Sequence, residues 1–414
     1  MKKIRSFRET GSVLLATMIF VIAIAAFLVS YLLLVQNSNQ TTARAQQWNS
    51  ALALAEAGIE EGLANLNMAD ISSSSNAISF SPILGRQLNG GRYSVISSAA
   101  GVVTTITSTG VVSAPITGDY ITRIVQITAQ RQALFTKGMI AMTTITMNGN
   151  GVISDSYNSH DPSQSTNGLY SGYAGTNGDI AAVGGFVNLG NHTIAGNLYL
   201  GPGYNYAAGP NGGVTGTVYP DWNVQFPTVS LPTNDASGNP IVWTPAPGSA
   251  TSHSFTNAGY YLINDDGAIS VEPGVKVILQ VARDTYNLNN LNIKGGTTNS
   301  GTIIMYQNGN GGVTLGGNAS AGAINNRPEN FVYYGLPGIT YVTMSGNSTF
   351  VGIIYAPQAA FTLSGGGAAY NFIGSLLAYS ITINGQFNLH YDESIEGLYW
   401  GFFVPGSWQE LSPP

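Results

Sequence analysis

Hydrophobic positions are distributed along this chain in three textures. The first is continuous: residues 12–35 contain neither a charge nor a proline. As a helix this run would be about 36 Å long at 1.5 Å per residue, enough to cross a hydrocarbon core of about 30 Å. It exceeds the apolar core of an ordinary secretory signal, about 7–15 residues, although Ala43-Arg44-Ala45 has the form of a small-residue cleavage site. The second texture is helical and one-sided. Trp48, Leu52, Ala55, Ile59, Leu63 and Leu66 recur at spacings of four and three, one face of a 3.6-residue period. No proline interrupts residues 36–67, and Asn65, Asn67 and the serines at 72–75 supply a stop. One continuous helix of about fifty residues is predicted, apolar all round and then amphipathic, the profile of a helix half in lipid and half packed on a domain. Ala51, Ala55, Gly58 and Gly62 lie near the apolar face and would let a sheet come close.

The third texture is that of strands. Residues 86–131 alternate with period two at Tyr93 and Val95, at Val103 and Thr105, and at Ile121, Arg123, Val125 and Ile127, with a turn at Ala99-Ala100-Gly101. Such runs bounded by Gly and Pro predict an antiparallel meander. Packed on the helix it gives an α+β head. After about Phe135 the runs shorten to three to six residues separated by Gly and Asn, as in DIAAVGGFVNLGNHTIAGNLYLGPG and FVGIIYAPQAAFTLSGGG. This texture predicts a β-solenoid, a right-handed β-helix of stacked short parallel strands; a jelly roll or sandwich is the competing architecture. A Pro-rich stretch at 220–247 should run extended, crossing the stack or capping it. The C-terminal aromatics Tyr399, Trp400, Phe402, Phe403 and Trp408 either dock on the head or form an exposed patch.

Charge changes the picture in two ways. Lys2, Lys3, Arg5 and Arg8 precede the apolar run, and Arg44 is the one basic residue in the forty that follow it. The positive-inside rule puts the short N-terminus in the cytoplasm and the rest outside. Beyond residue 11 the chain holds ten basic and nineteen acidic residues, which argues against nucleic acid as a partner. Charged residues make up 8% of the chain, against an ordinary value of about 25%. A surface of Asn, Ser, Thr and Gly follows, suited to a glycan or solid surface through hydrogen bonds and aromatic contacts. No cysteine is present, so disulfides and thiolate chemistry are excluded.

A basic leader ending in Gly11, a long apolar helix and its continuation ALAEAGIEEGLANLN resemble a type IV pilin-like protein, and more narrowly the PilX-like minor pilins. The resemblance implies cleavage by prepilin peptidase between Gly11 and Ser12, and helix-in-filament packing against other pilin subunits after a stage in the bacterial inner membrane. Two positions depart from the pattern. Major pilins place Phe first and Glu fifth after the cut; here those are Ser12 and Ala16. The glutamate is thought to neutralise a neighbour's terminal amine in the filament core, and a buried amine without a partner is costly. A subunit lacking it fits the filament tip. The 350–392 region is similar to β-helical surface domains joined to such stalks. The domain plan is a leader at 1–11, a membrane and filament-core helix at 12–35, a pilin-like helix and meander at 36–135, the solenoid at 136–392 and a tail at 393–414. The function expected is structural: a minor subunit that takes part in pilus assembly and displays an adhesive domain. An envelope-anchored bitopic protein and a β-helical carbohydrate enzyme are the alternatives.

Candidate chemistry is sparse, and neither enzyme nor cofactor is expected. His390-Tyr391-Asp392-Glu393 is the densest ionisable cluster. A strand would put His390 and Asp392 on one face and Glu393 on the other, so an end-of-stack hydrogen-bond network is favoured over a metal or acid–base site. Asp265-Asp266-Gly267 is a turn sequence rather than the carboxylate pair of a glycosidase. Asp155, Asp161 and Asp179 are possible calcium ligands outside any known calcium repeat.

Overall fold

The computed structural model describes residues 10–67, 79–115, 118–131, 133–235, 239–288, 290–315, 321–322, 326–345, 349–365, 370–398 and 403–412. Residues 1–9 of the leader and the aromatics Tyr399, Trp400 and Phe402 lie outside these residues, as does the side chain of Ser12. Two compact units form. One comprises residues 1–66, 77–130 and 403–414, the other 67–76 and 131–402.

The first unit is built on helix α1, Thr10–Asn67. Its N-terminal half leaves Val13 through Leu34 open on every side, and among the described residues it is the one helix long and apolar enough to span a membrane. The second half packs on an antiparallel sheet of β1 (Ile83–Leu88), β2 (Gly91–Ala100), β3 (Val103–Ser113) and β4 (Tyr120–Arg131). A fifth strand, Phe403–Leu411, extends the sheet beside β4. The segment read from sequence as a tail therefore supplies an edge strand, with Phe403 buried in the core and Trp408 about half exposed.

The core of this unit joins Ala51, Leu54, Ala55, Ile59 and Leu66 to Tyr93, Val95, Ile106, Val125 and Ile127. The buried stripe of α1 keeps Ala55, Ile59 and Leu66 of the face predicted from sequence and adds Ala51 and Leu54. Leu52 and Leu63 are half-buried, and Trp48 is 49% exposed, with the Arg123 guanidinium 4.2 Å from its ring centroid. The reason is steric. A Cβ on Gly110 of β3 would fall 2.6 Å from the backbone nitrogen of Ala55, and one on Gly62 2.9 Å from Ile106 Cγ2. Small residues meet at the closest approach, and the larger side chains pack to either side. For the same reason the even positions of β3, Thr104 to Val112, face the helix, and Val103 and Thr105 lie on the other face.

In the second unit every described strand pairing is parallel, unlike the antiparallel pairing of a jelly roll or sandwich. Most strands form one large parallel sheet, and Ser252–Phe255, Ala268–Val271 and Leu291–Ile293 form a separate one. They stack in three ladders, the second of which runs through Thr285–Leu288, Gly312–Leu315, Tyr341–Ser345, parts of Phe350–Ser364 and Tyr370–Asn384, then Ile145–Met147 and Val187–Asn188. The first runs through Thr244–Pro245, Gly259–Ile263, Lys276–Val281, Thr302–Gln307, Phe331–Gly335, parts of Phe350–Ser364 and Tyr370–Asn384, then Met139–Ala141, Ile180–Ala182, Leu198–Leu200 and Val218–Tyr219. Ladder order is not chain order. Leu376 sits beside Met139, and His390 beside Asp155. The chain enters mid-stack, builds outward to Tyr219, crosses to Thr244 at the far end and builds back until its last strands meet its first.

The crossing is made by the Pro-rich segment. Inward residues of the first ladder (Met139, Ile180, Leu279, Met305, Tyr333, Leu376) belong to the main core. Outward ones (Ile140, Ala181, Ile278, Ile304, Tyr334, Leu377) form a second core with Val229, Trp222, Phe226, Leu231 and Trp243 packed on it. Tyr355 donates its hydroxyl to the Pro227 carbonyl at 2.7 Å. This strap buries the ladder on both faces, so the apolar runs Val277, Ile278, Leu279 and Phe331, Val332, Tyr333, Tyr334 are buried without alternation.

Candidate functional site

His390, Asp392, Glu393 and Asp155 lie at the seam where the last strands meet the first. His390, buried, contacts Asp155 Oδ1 through Nδ1 and Asn371 Oδ1 through Nε2 at 3.1 Å. The Tyr170 ring stacks on it, with centroids 3.6 Å apart, and the Tyr170 hydroxyl donates to Asp155 Oδ2 at 3.3 Å. Asp392 accepts from the backbone N–H of Ser159 at 2.9 Å and of Ser394 at 3.1 Å. Burial raises its carboxyl above the ordinary range, against those hydrogen bonds. Glu393 faces another set, accepting from Ser156 Oγ at 2.6 Å and Asn177 Nδ2 at 3.0 Å. Both ring nitrogens and one ring face of His390 are thus occupied by protein. The geometry closes a seam.

The calcium candidates do not share a set of partners. Asp155 holds His390 and Tyr170. Asp161 caps a turn, accepting from Ser163 N and Oγ at 2.8 Å each, which lowers its pKa. Asp179 accepts from Asn197 N at 2.7 Å and lies 3.5 Å from Lys137 Nζ. Among the described residues no group of three or more His, Asp or Glu is placed to hold a metal ion. The adjacent pair at the turn also diverges. Asp265 accepts from His253 Nε2 at 2.7 Å and Gly267 N at 3.0 Å; Asp266 pairs with Arg283 at 3.2 Å and caps Asn287 N. Burial alone would raise Asp265, but its hydrogen bonds and the neighbouring positive charge hold it below the ordinary value.

Two polar groups escaped the sequence reading. His192 is buried with Nε2 2.8 Å from Ser154 Oγ, and burial lowers it to about 4. Lys137 lies 3.6 Å from the Tyr199 ring centroid, and burial lowers its pKa against the pull of Asp179. Neither had a local signal, since each is defined by what the fold lays over it.

The extended surfaces are more informative than these clusters. One is the apolar half of α1. The other is the outer face of the second ladder, where Asn287, Thr314, Thr343, Thr362, Thr382, Thr146 and Asn188 are in-register partners in successive strands. Buried Leu, Met and Ile alternate with them along each strand, so the row points outward.

Residues 236–398 match a family model described as a domain of unknown function (DUF7305). That is less than half of the chain, and it spans the strands from the far end of the stack to the seam. No curated protein matches. Among solved structures, the competence-associated pilin ComZ from Thermus thermophilus is similar at 13% identity, covering 89% of this chain and 98% of that one, with a TM-score of 0.20. At that score the two backbones do not superpose as wholes.

Proposed function

We propose that this chain is a type IV pilin-like structural subunit of the PilX-like kind, not an enzyme. Prepilin peptidase would cut between Gly11 and Ser12. The apolar half of α1 would hold the subunit in the bacterial inner membrane with its N-terminus cytoplasmic, and then pack among other pilin subunits. Beyond the membrane, the three parallel ladders are read as turns of a right-handed β-solenoid displayed on the pilus or cell surface as an adhesive domain. The observation that carries this reading is α1 itself: one continuous helix of 58 residues, open and apolar in its first half, and in its second packed on a sheet through small residues. Lipid and filament core both demand such a first half, since neither supplies water to charged groups. Ala16, where a carboxylate would neutralise a neighbour's amine, suits a position at the tip.

The test is the mass of the N-terminal peptide of the protein isolated from its own cells. A mature chain beginning at Ser12 is expected. A chain beginning at Met1 would make it a bitopic anchor and remove the filament role; one beginning at Gln46 would make it a secreted protein and overturn the membrane reading as well.

A further inference from the structure

The threonine row carries an inference about what the displayed unit holds. Parallel strands fix the repeat along the row at about 4.8 Å. Five consecutive threonines, flanked by Asn287 and Asn188, present a methyl and a hydroxyl at each step, all but exposed Asn287 half-buried. The rows on either side are also neutral. On one side Ser345, Ser364 and Asn384 are in register, with Asn148 donating to Asn384 at 2.8 Å. On the other, Gly312, Tyr341, Ala360 and Ser380 are in register.

Gly312 has a visible use in that row. A Cβ there would fall 2.6 Å from Tyr341 Cε2, so the glycine lets the Tyr341 ring lie flat over the neighbouring strand. Tyr341 remains 37% exposed. Phe186 and Tyr379, both 47% exposed, extend the same edge, because Phe186 O accepts from Ile145 N and Tyr379 O accepts from Thr143 N.

We infer that this face binds a neutral polysaccharide chain lying along the stack, across the strands. A ligand of repeating sugars supplies hydroxyls at steps comparable with the strand spacing, and apolar ring faces for the aromatic edge. The five threonines and the rows beside them carry no ionisable side chain, and at the Asn287 end the nearby cation, Arg283, is paired with Asp266 at 3.2 Å; an anionic polymer or nucleic acid would need a basic footprint. The aromatic edge favours a polysaccharide over crystalline ice, which a bare hydroxyl-and-methyl row would also fit. Thr–Thr pairs also stabilise a sheet, so the test must separate binding from folding.

The inference rests on the reading that this unit is displayed outside the cell. Its failure would leave the N-terminal mass unchanged, so the two can be told apart. The experiment is co-sedimentation of the full chain, in detergent micelles, with microcrystalline cellulose and with chitin. Wild type should pellet with at least one of them. Thr343→Val, Thr362→Val and Thr382→Val combined keep the β-branched shape and remove three hydroxyls; Tyr341→Ala removes the platform. Each variant should bind at least tenfold more weakly at an unchanged thermal midpoint. Wild type that pellets with neither polysaccharide, or enters growing ice instead, overturns the inference. So do variants that bind as wild type does.

Discussion

The two units solve the same problem, burying one face of a sheet, by opposite means. In the first, β1 to β4 pair with their neighbours in sequence, and the core is sealed by taking side chains away, at Gly110 against Ala51 and Ala55. In the second, strands pair across 235 residues of chain at His390 and Asp155, and the core is sealed by stacking large groups. Phe350 lies over Phe372 and Tyr306 over Tyr334, each pair with centroids 4.9 Å apart. Where the chain returns at once, its backbones must come close. Where it returns late, like residues can be laid in register, so one kind of side chain repeats down a ladder.

The sharpest way to break that contrast is one chemical change made in each unit. Gly374 has φ +132° and stands in register with Gly352, whose carbonyl a Cβ would strike. Gly374→Ala therefore combines backbone strain with overpacking, about 4 kcal/mol if each contributes about 2. Hydrogen exchange should show protection lost across residues 331–392 and kept across 91–130. Loss in both regions would mean that the units unfold as one. Gly110→Ala carries only the overpacking component, about 2 kcal/mol, and its loss of protection should appear in α1 and β2 to β4. It ranks third, below the effect of acid.

Acid should act on the second unit, because all four histidines lie there. His192, lowered to about 4 by burial, stays neutral in the fold, whereas the unfolded chain takes up its proton near pH 6.5. Its contribution is fully present above about 6.5 and is lost as the pH falls towards 4, by about 3 kcal/mol in all. Urea midpoints measured at pH 7 and pH 4.5 should therefore separate for the second unit. His192→Gln, which can still reach Ser154, should shrink the difference, and an equal difference in the variant would assign the acid loss to other groups.

What was legible in the sequence follows the same divide. The end of α1 at Asn67 and the strand alternation at Arg123, Val125 and Ile127 rest on signals within a few residues of each other. On α1 the sequence stripe and the buried stripe share Ala55, Ile59 and Leu66 and differ at Trp48, because hydrophobicity marks Trp48 whereas contact distance is set by Ala51, Ala55 and the strand glycine opposite. The seam was invisible for a different reason. Asp155 and His390 were each noticed, but nothing local says that the last strand meets the first. The threonine row was hidden too: Thr314, Thr343, Thr362 and Thr382 stand at unequal intervals, and only the register of three strand pairs aligns them.

The smallest predicted effect isolates the strap. Tyr355 lies on the outer face of the first ladder, and its hydroxyl holds the Pro227 carbonyl. Tyr355→Phe keeps the ring against Phe135 and Tyr334 and removes one hydrogen bond, leaving the carbonyl unpaired at a cost of about 1 kcal/mol. The ladder's own hydrogen bonds are untouched, so the unfolding midpoint should barely move. The strap's local opening should become several-fold more frequent, since 1.4 kcal/mol corresponds to about tenfold in an equilibrium constant. Limited proteolysis within residues 220–247 reads that opening directly. Faster cleavage there at an unchanged midpoint would mark the strap as a cover laid on a finished ladder. A midpoint that falls in step with cleavage would make it part of the fold's cooperative core, and the outer apolar face of the first ladder would then depend on it for folding.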